Sequence, residues 1–208
     1  MTPLTRKPTA QRRDEIVLAV LRIIGEQGLT SLSTTTLAEE VGVTTGALFR
    51  HFPSREAILE GTVDYALTRI DETFPDETLP PLERLRELAA RRVRLLGANP
   101  GLSWLLRSEQ AYLTLPPECA AHLRDAVRRS KRFLLDAIRE GAARGDIRDD
   151  IEPEVLLVPV MGTIHALIGM PGVHRPAARA RRPDADHIFL ALLKMLAPPS
   201  TDQRTRKR

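Results

Sequence analysis

A chain of 208 residues, 42% hydrophobic and 28% charged, is long enough to bury a core and too apolar to stay disordered. Its single cysteine, Cys119, excludes an intramolecular disulfide and a cysteine-based zinc knuckle and suits a reducing cytoplasm, where the chain is expected to work. The net charge of +4 does not mark the first third as a nucleic-acid binder: residues 1–60 hold seven Lys/Arg against seven Asp/Glu, residues 61–150 hold fifteen of each, and the surplus follows residue 150. Any case for nucleic acid must rest on where the charges point.

The N-terminus MTPLTRKPTAQRR is basic but has no apolar stretch of the kind a secretory signal needs. Residues 1–8, with Arg6 and Lys7, read as a disordered arm. Ile16, Val17, Val20, Leu21 and Ile24 then form a helical stripe. The stretch TTTLAEEVGVTTGALFRHFPSREAIL, Thr34 to Leu59, predicts two short helices bent around a glycine. Ala38 is small where helices press together, Gly42 suits a left-handed turn, and a second helix starts near Thr44. Ser33, Thr44 and Ser54 stand as caps. This is a helix-turn-helix, within a head assigned to residues 9–53.

From Ser54 a single helix is predicted to run to about Phe74, roughly 30 Å at ~1.5 Å per residue. Beyond it, punctuation at Pro75 to Pro81, Asn99-Pro100-Gly101, Pro116-Pro117, Gly145 and Pro171 to Pro183 divides an all-helical body, residues 54–198, and leaves a basic disordered tail at 199–208. The whole chain reads as about nine helical segments and no strand. Val155 to Val173 carries no formal charge. It is read as a buried or interface helix, because Pro159, Gly162, Thr163, His165 and Pro171 interrupt it; a membrane span is the alternative, and no membrane partner is expected.

The second helix of such a motif enters the major groove with its first residues at the base edges, which places Thr44, Thr45, Gly46 and Ala47 there. They are small, and none is a bidentate base reader. Thr35, Thr36 and Arg50 are the remaining candidates for base or backbone contact, with solvated surface as the alternative for each.

GVTTGALFRHFPSREAIL closely resembles the recognition helix and following segment of the TetR family of bacterial transcriptional regulators, and the likeness extends through Gly28, Leu32 and the Leu37-Ala38 pair over roughly residues 10–60. The resemblance implies an N-terminal three-helix head joined by a long helix to a ligand-binding and dimerising body. It implies a repressor, working without a cofactor, that binds a palindromic operator as a homodimer and is released by a small effector. It also implies phosphate contacts: the position of Phe49 is commonly a tyrosine, that of His51 a phosphate-contacting side chain and that of Arg55 a basic residue. Phe49 departs from the pattern and offers only packing. RGDIRDDIEPEVLLVPVMGTIHALI resembles the approach to a dimerisation helix.

In the body, Gly162, Ala166 and Gly169 make a stripe of small residues, and Phe189, Leu192, Leu193 and Leu196 an apolar stripe on the last helix. Two helices, Glu154 to Met170 and Ala185 to Leu196, are expected to pair with their copies as a four-helix interface; burial within one monomer competes. For a mainly apolar effector the candidate lining is Trp104, Leu105, Tyr112, Phe133, Met161 and His165, with Arg107 or Glu109 as the polar contact, each alternatively core or surface. No enzyme is expected, since no nucleophile, metal or phosphate-loop motif occurs. The trio Asp184, Asp186 and His187 reads as loop and helix cap rather than a metal site. An interaction protein that keeps the fold without specific DNA binding is the remaining rival.

Overall fold

Apolar residues spaced three and four apart dictate helices, and helices are what form. The computed structural model describes residues 9–169 and 184–199, and among these no strand occurs. In chain order the elements are α1 (Thr9–Gln27), a 3₁₀ turn (Leu29–Ser31), α2 (Thr34–Val41), α3 (Thr45–Phe49), α4 (Arg55–Asp71), α5 (Pro81–Ala98), α6 (Pro100–Arg107), α7 (Glu109–Thr114), α8 (Pro117–Arg144), α9 (Pro153–Gly169) and α10 (Ala185–Leu196). The expected arm and nearly all of the tail lie outside the described residues. The helix expected to reach Phe74 ends at Asp71.

The chain divides into two units that do not follow the expected boundary after residue 53. Of the described residues, unit 1 takes those up to Arg69 together with Asn99–Asp125, and unit 2 takes Ile70–Ala98 and those from Ala126 onward. The head therefore shares its unit with α6, α7 and the start of α8.

In unit 1, Ile16, Val20, Ile23 and Ile24 of α1 are buried with Leu37, Leu48, Phe52 and Ile58. The α6 helix lies against α1 at backbone distance: a Cβ on Gly101 would stand 2.0 Å from the Leu21 carbonyl oxygen. Asn99-Pro100-Gly101 is thus the start of a helix whose second residue has room only for hydrogen.

In unit 2, α5 buries Leu85, Leu88, Ala89, Val93 and Leu96 against α9 and α10. From α9 come Leu156, Val160, Ile164 and Leu167, and from α10 Phe189, Leu192 and Leu196, all buried. Arg92 is largely buried as well. Its Nε donates to Thr73 Oγ1 at 2.9 Å and its Nη1 to Ser130 Oγ at 3.2 Å, while its guanidinium stands 5.4 Å from the Phe74 ring centroid. Desolvation pushes its pKa down to about 10, and Asp71 opposes the shift. Among the described residues no helix is long and apolar enough to cross a membrane; the uncharged run beginning at Val155 lies on α9 as far as Gly169, and the rest of it is outside the described residues.

Candidate nucleic-acid interface and ligand cavity

The bend at Thr34 to Leu59 is built from local hydrogen bonds. Ser33 Oγ accepts from the Thr36 amide at 3.0 Å and starts α2. Gly42, at φ 70 and ψ 39, ends it in the left-handed region, and the Val43 amide reaches back to the Ala38 carbonyl at 2.9 Å. That conformation strains any residue with a Cβ, which accounts for the glycine. Thr44 Oγ1 then accepts from the Ala47 amide at 3.2 Å to begin α3, and Leu48 anchors α3 with no exposed surface. An Arg22–Glu40 ion pair ties α1 to α2. Phe52 is buried beneath the Arg13 guanidinium, 4.5 Å from the ring centroid.

With Leu48 fixed inward, Thr44, Gly46, Phe49 and Arg50 are exposed, Thr45 and Ala47 half-exposed. Two threonines are less available than their positions suggest. The Thr44 hydroxyl is engaged as a cap, and that of Thr36 lies 2.8 Å from Ser33 Oγ; Thr35 is exposed. Phe49 is 39% exposed, an aromatic face with no hydroxyl to offer. The Nδ1 of His51 is buried without a hydrogen-bond partner among the described residues, which leaves Nε2 as the ring atom for an outside contact. Arg55 opens α4, exposed, beside Ser54 Oγ, which accepts from the Ala57 amide at 3.1 Å. Glu56 in the same turn is held below the usual carboxylate range by a backbone hydrogen bond and by Ser54. The only other acids in the motif, Glu39 and Glu40, are exposed on α2.

The expected dimer stripes fare differently. On α9, Gly162, Ala166 and Gly169 are exposed in line with Val155, Val158 and His165. On α10 the expectation is corrected: Phe189, Leu192 and Leu196 face the core of their own unit and Leu193 is half-buried, because α5 and α9 cover that side. The apolar residues that α10 presents outward are Leu190 and Met195, 42% and 64% exposed.

The expected effector lining is divided between the units. In unit 1, Leu105 is buried core and Trp104 half-buried; Tyr112 donates weakly to the Leu106 carbonyl at 3.4 Å, with Arg124 over its ring; Arg107 and Glu109 are exposed. In unit 2, Phe133 packs edge-on against Phe74 at 5.2 Å, Met161 is half-buried and His165 is exposed. None of the eight lines the cavity of about 330 Å³ that opens in unit 2 beside α5, α9 and α10. Sequence reasoning missed that cavity, since its α5 wall is made by alanines. Asp184 is the N-cap of α10, accepting from the His187 amide at 2.8 Å, and among the described residues no cluster of three or more His, Cys, Asp or Glu side chains is arranged for a metal ion.

Residues 16–62 match the model for bacterial regulatory proteins of the tetR family. Over 158 residues the chain is 28% identical to the nucleoid occlusion factor SlmA of Vibrio campbellii, covering 74% of this chain and 80% of that protein. Among solved structures, AibR in complex with isovaleryl coenzyme A and operator DNA has a TM-score of 0.70 at 21% identity, over 90% of this chain and 99% of that one. FadR from Bacillus subtilis in complex with stearoyl-CoA has a TM-score of 0.61 at 19% identity, over 88% and 97%. The helix-turn-helix and the family model together identify residues 16–62 as a DNA-binding head of the tetR family of bacterial regulatory proteins, and the all-helical fold of the rest is that of TetR-family regulators.

Proposed function

We propose that the protein is a repressor that binds a palindromic operator as a homodimer and is released by a small ligand. The carrying observation is α3: Leu48 pins it into the head while Thr45, Gly46, Phe49 and Arg50 are left outward, beside an exposed Arg55. In this reading Thr45 and the bare backbone at Gly46 and Ala47 meet base edges, with Thr44 capping the helix that carries them. Arg50, His51 through Nε2 and Arg55 meet phosphates, Thr35 and Thr36 flank the groove, and Phe49 packs against sugar. Small side chains give thin direct readout, so affinity rests on phosphate contacts and on two heads spaced about 34–36 Å apart. The outward stripes of α9 and α10 suit the pairing of two copies.

Selection of bound sites from random duplex DNA at near-physiological salt tests the reading. An enriched palindrome is expected, with affinity falling steeply as salt rises. Arg55→Ala should weaken all sites alike, by about tenfold, whereas Thr45→Ala should change which bases are preferred. The exposed Phe49 favours a second reading, an interaction protein without specific DNA binding. Salt-sensitive binding with no enriched sequence would select that reading over the first.

A further inference from the structure

The cavity beside α5, α9 and α10 carries charged groups of both signs around an apolar floor. Its apolar surface comes from Ala89, Ala90 and Val93 of α5, Leu167 of α9 and Phe189 of α10. Among the described residues four charged side chains also line it: Arg86, Arg94, Asp184 and Asp186. Asp184 has local partners, and Asp186 a favourable helix position. Asp184 accepts from the His187 amide and lies 2.9 Å from the His187 ring, and Asp186 sits in the first turn of α10, where the helix terminus favours negative charge. The arginines are less well matched. Arg86 has Glu87 at 3.3 Å, and Glu87 is shared with Arg91 at 3.3 Å. Arg94 has no ion pair or hydrogen bond among the described residues. A cavity of about 330 Å³ lies at the small end of ligand sites, which run from about 300 to 1,000 Å³.

The geometry points to a binding site for a small amphipathic acid, its carboxylate on Arg94 and its short aliphatic or single-ring body against the alanines of α5 and Phe189. A neutral or cationic ligand of the same shape leaves Arg94 unpaired and gains only the apolar contact. The site shares α9 and α10 with the outward stripes described above, so an occupant bears on the helices proposed to pair. That the occupant is the effector rests on the regulatory reading; that the cavity takes an acid does not.

Calorimetry on the full chain near neutral pH with hexanoate, hexylamine and hexanol tests the site. Hexanoate is expected to bind at least about tenfold more tightly than the other two, the increment of one charge-assisted contact. Arg94→Gln, at an exposed side chain, should remove that preference and leave hexanol binding unchanged; Ala90→Phe, which fills the cavity, should abolish binding of all three. Failure of all three probes to bind, hexylamine binding as well as hexanoate, or a hexanoate preference that survives Arg94→Gln would overturn the assignment. The two readings fail separately. Hexanoate binding of this pattern with no enriched operator keeps the site and removes its regulatory role, while an enriched operator without hexanoate preference does the reverse.

Discussion

Gly101→Ala should destabilise unit 1 by about 3 kcal/mol or more, the upper end of what overpacking a core costs. The added Cβ would lie 2.0 Å from the Leu21 carbonyl oxygen, 2.7 Å from its carbon and 2.9 Å from its Cα. These are backbone atoms of α1, so no rotamer change relieves the contact; either α6 moves off α1 or α1 bends. Gly25 sits on the other side of the same crossing, its own Cβ position 2.7 Å from the Gly101 nitrogen, so neither helix has slack to give. In thermal unfolding the midpoint should fall by roughly 6–12 °C. The contrasting substitution is Gly46→Ala, where an added Cβ meets nothing within 4 Å. There stability should be unchanged or gain up to about 1 kcal/mol from helix propensity, while the recognition surface acquires a methyl group. Equal stability losses for the two variants would mean that the α1–α6 crossing is not the tight contact described.

What the sequence could disclose follows from how local each feature is. The bend of the head is legible because its causes lie within a few residues: Ser33 and Thr44 cap the helices they precede, and Gly42 supplies the left-handed turn. The α1–α6 crossing is not, because a Pro-Gly pair reads as a turn until Leu21, far away in sequence, is found against it. The last helix shows a third case. Its periodicity reveals that Phe189, Leu192 and Leu196 share a side, yet Leu190 and Met195 are apolar too, and periodicity cannot say which side a neighbour covers. The cavity in unit 2 is hardest to read. A search for binding residues looks for large rings such as Trp104, Tyr112 and Phe133, whereas space is made where side chains are small, at Ala89 and Ala90.

Val158→Glu should convert the proposed dimer to a monomer while leaving each copy folded. Val158 is 69% and Val155 54% exposed on α9, and Met195 is 64% exposed on α10, so a carboxylate here stays in water in the single chain and costs its fold little. In a two-fold dimer the substitution enters twice, and each carboxylate loses water to an apolar partner face without a compensating cation. The dimer dissociation constant, read by sedimentation equilibrium, should rise about hundredfold or more. Operator affinity should fall with it, because one head alone makes half the phosphate contacts, and the loss should shrink at protein concentrations that restore the dimer. Phe189→Ala separates this outcome from mere unfolding. It empties a position only 3% exposed inside unit 2, so its cost of about 3–5 kcal/mol should appear in urea unfolding, with the dimer mass kept wherever the chain remains folded. A Val158→Glu chain that stays dimeric at nanomolar concentration would move the pairing surface away from α9 and α10, and the cavity beside them would then lose its route to the operator.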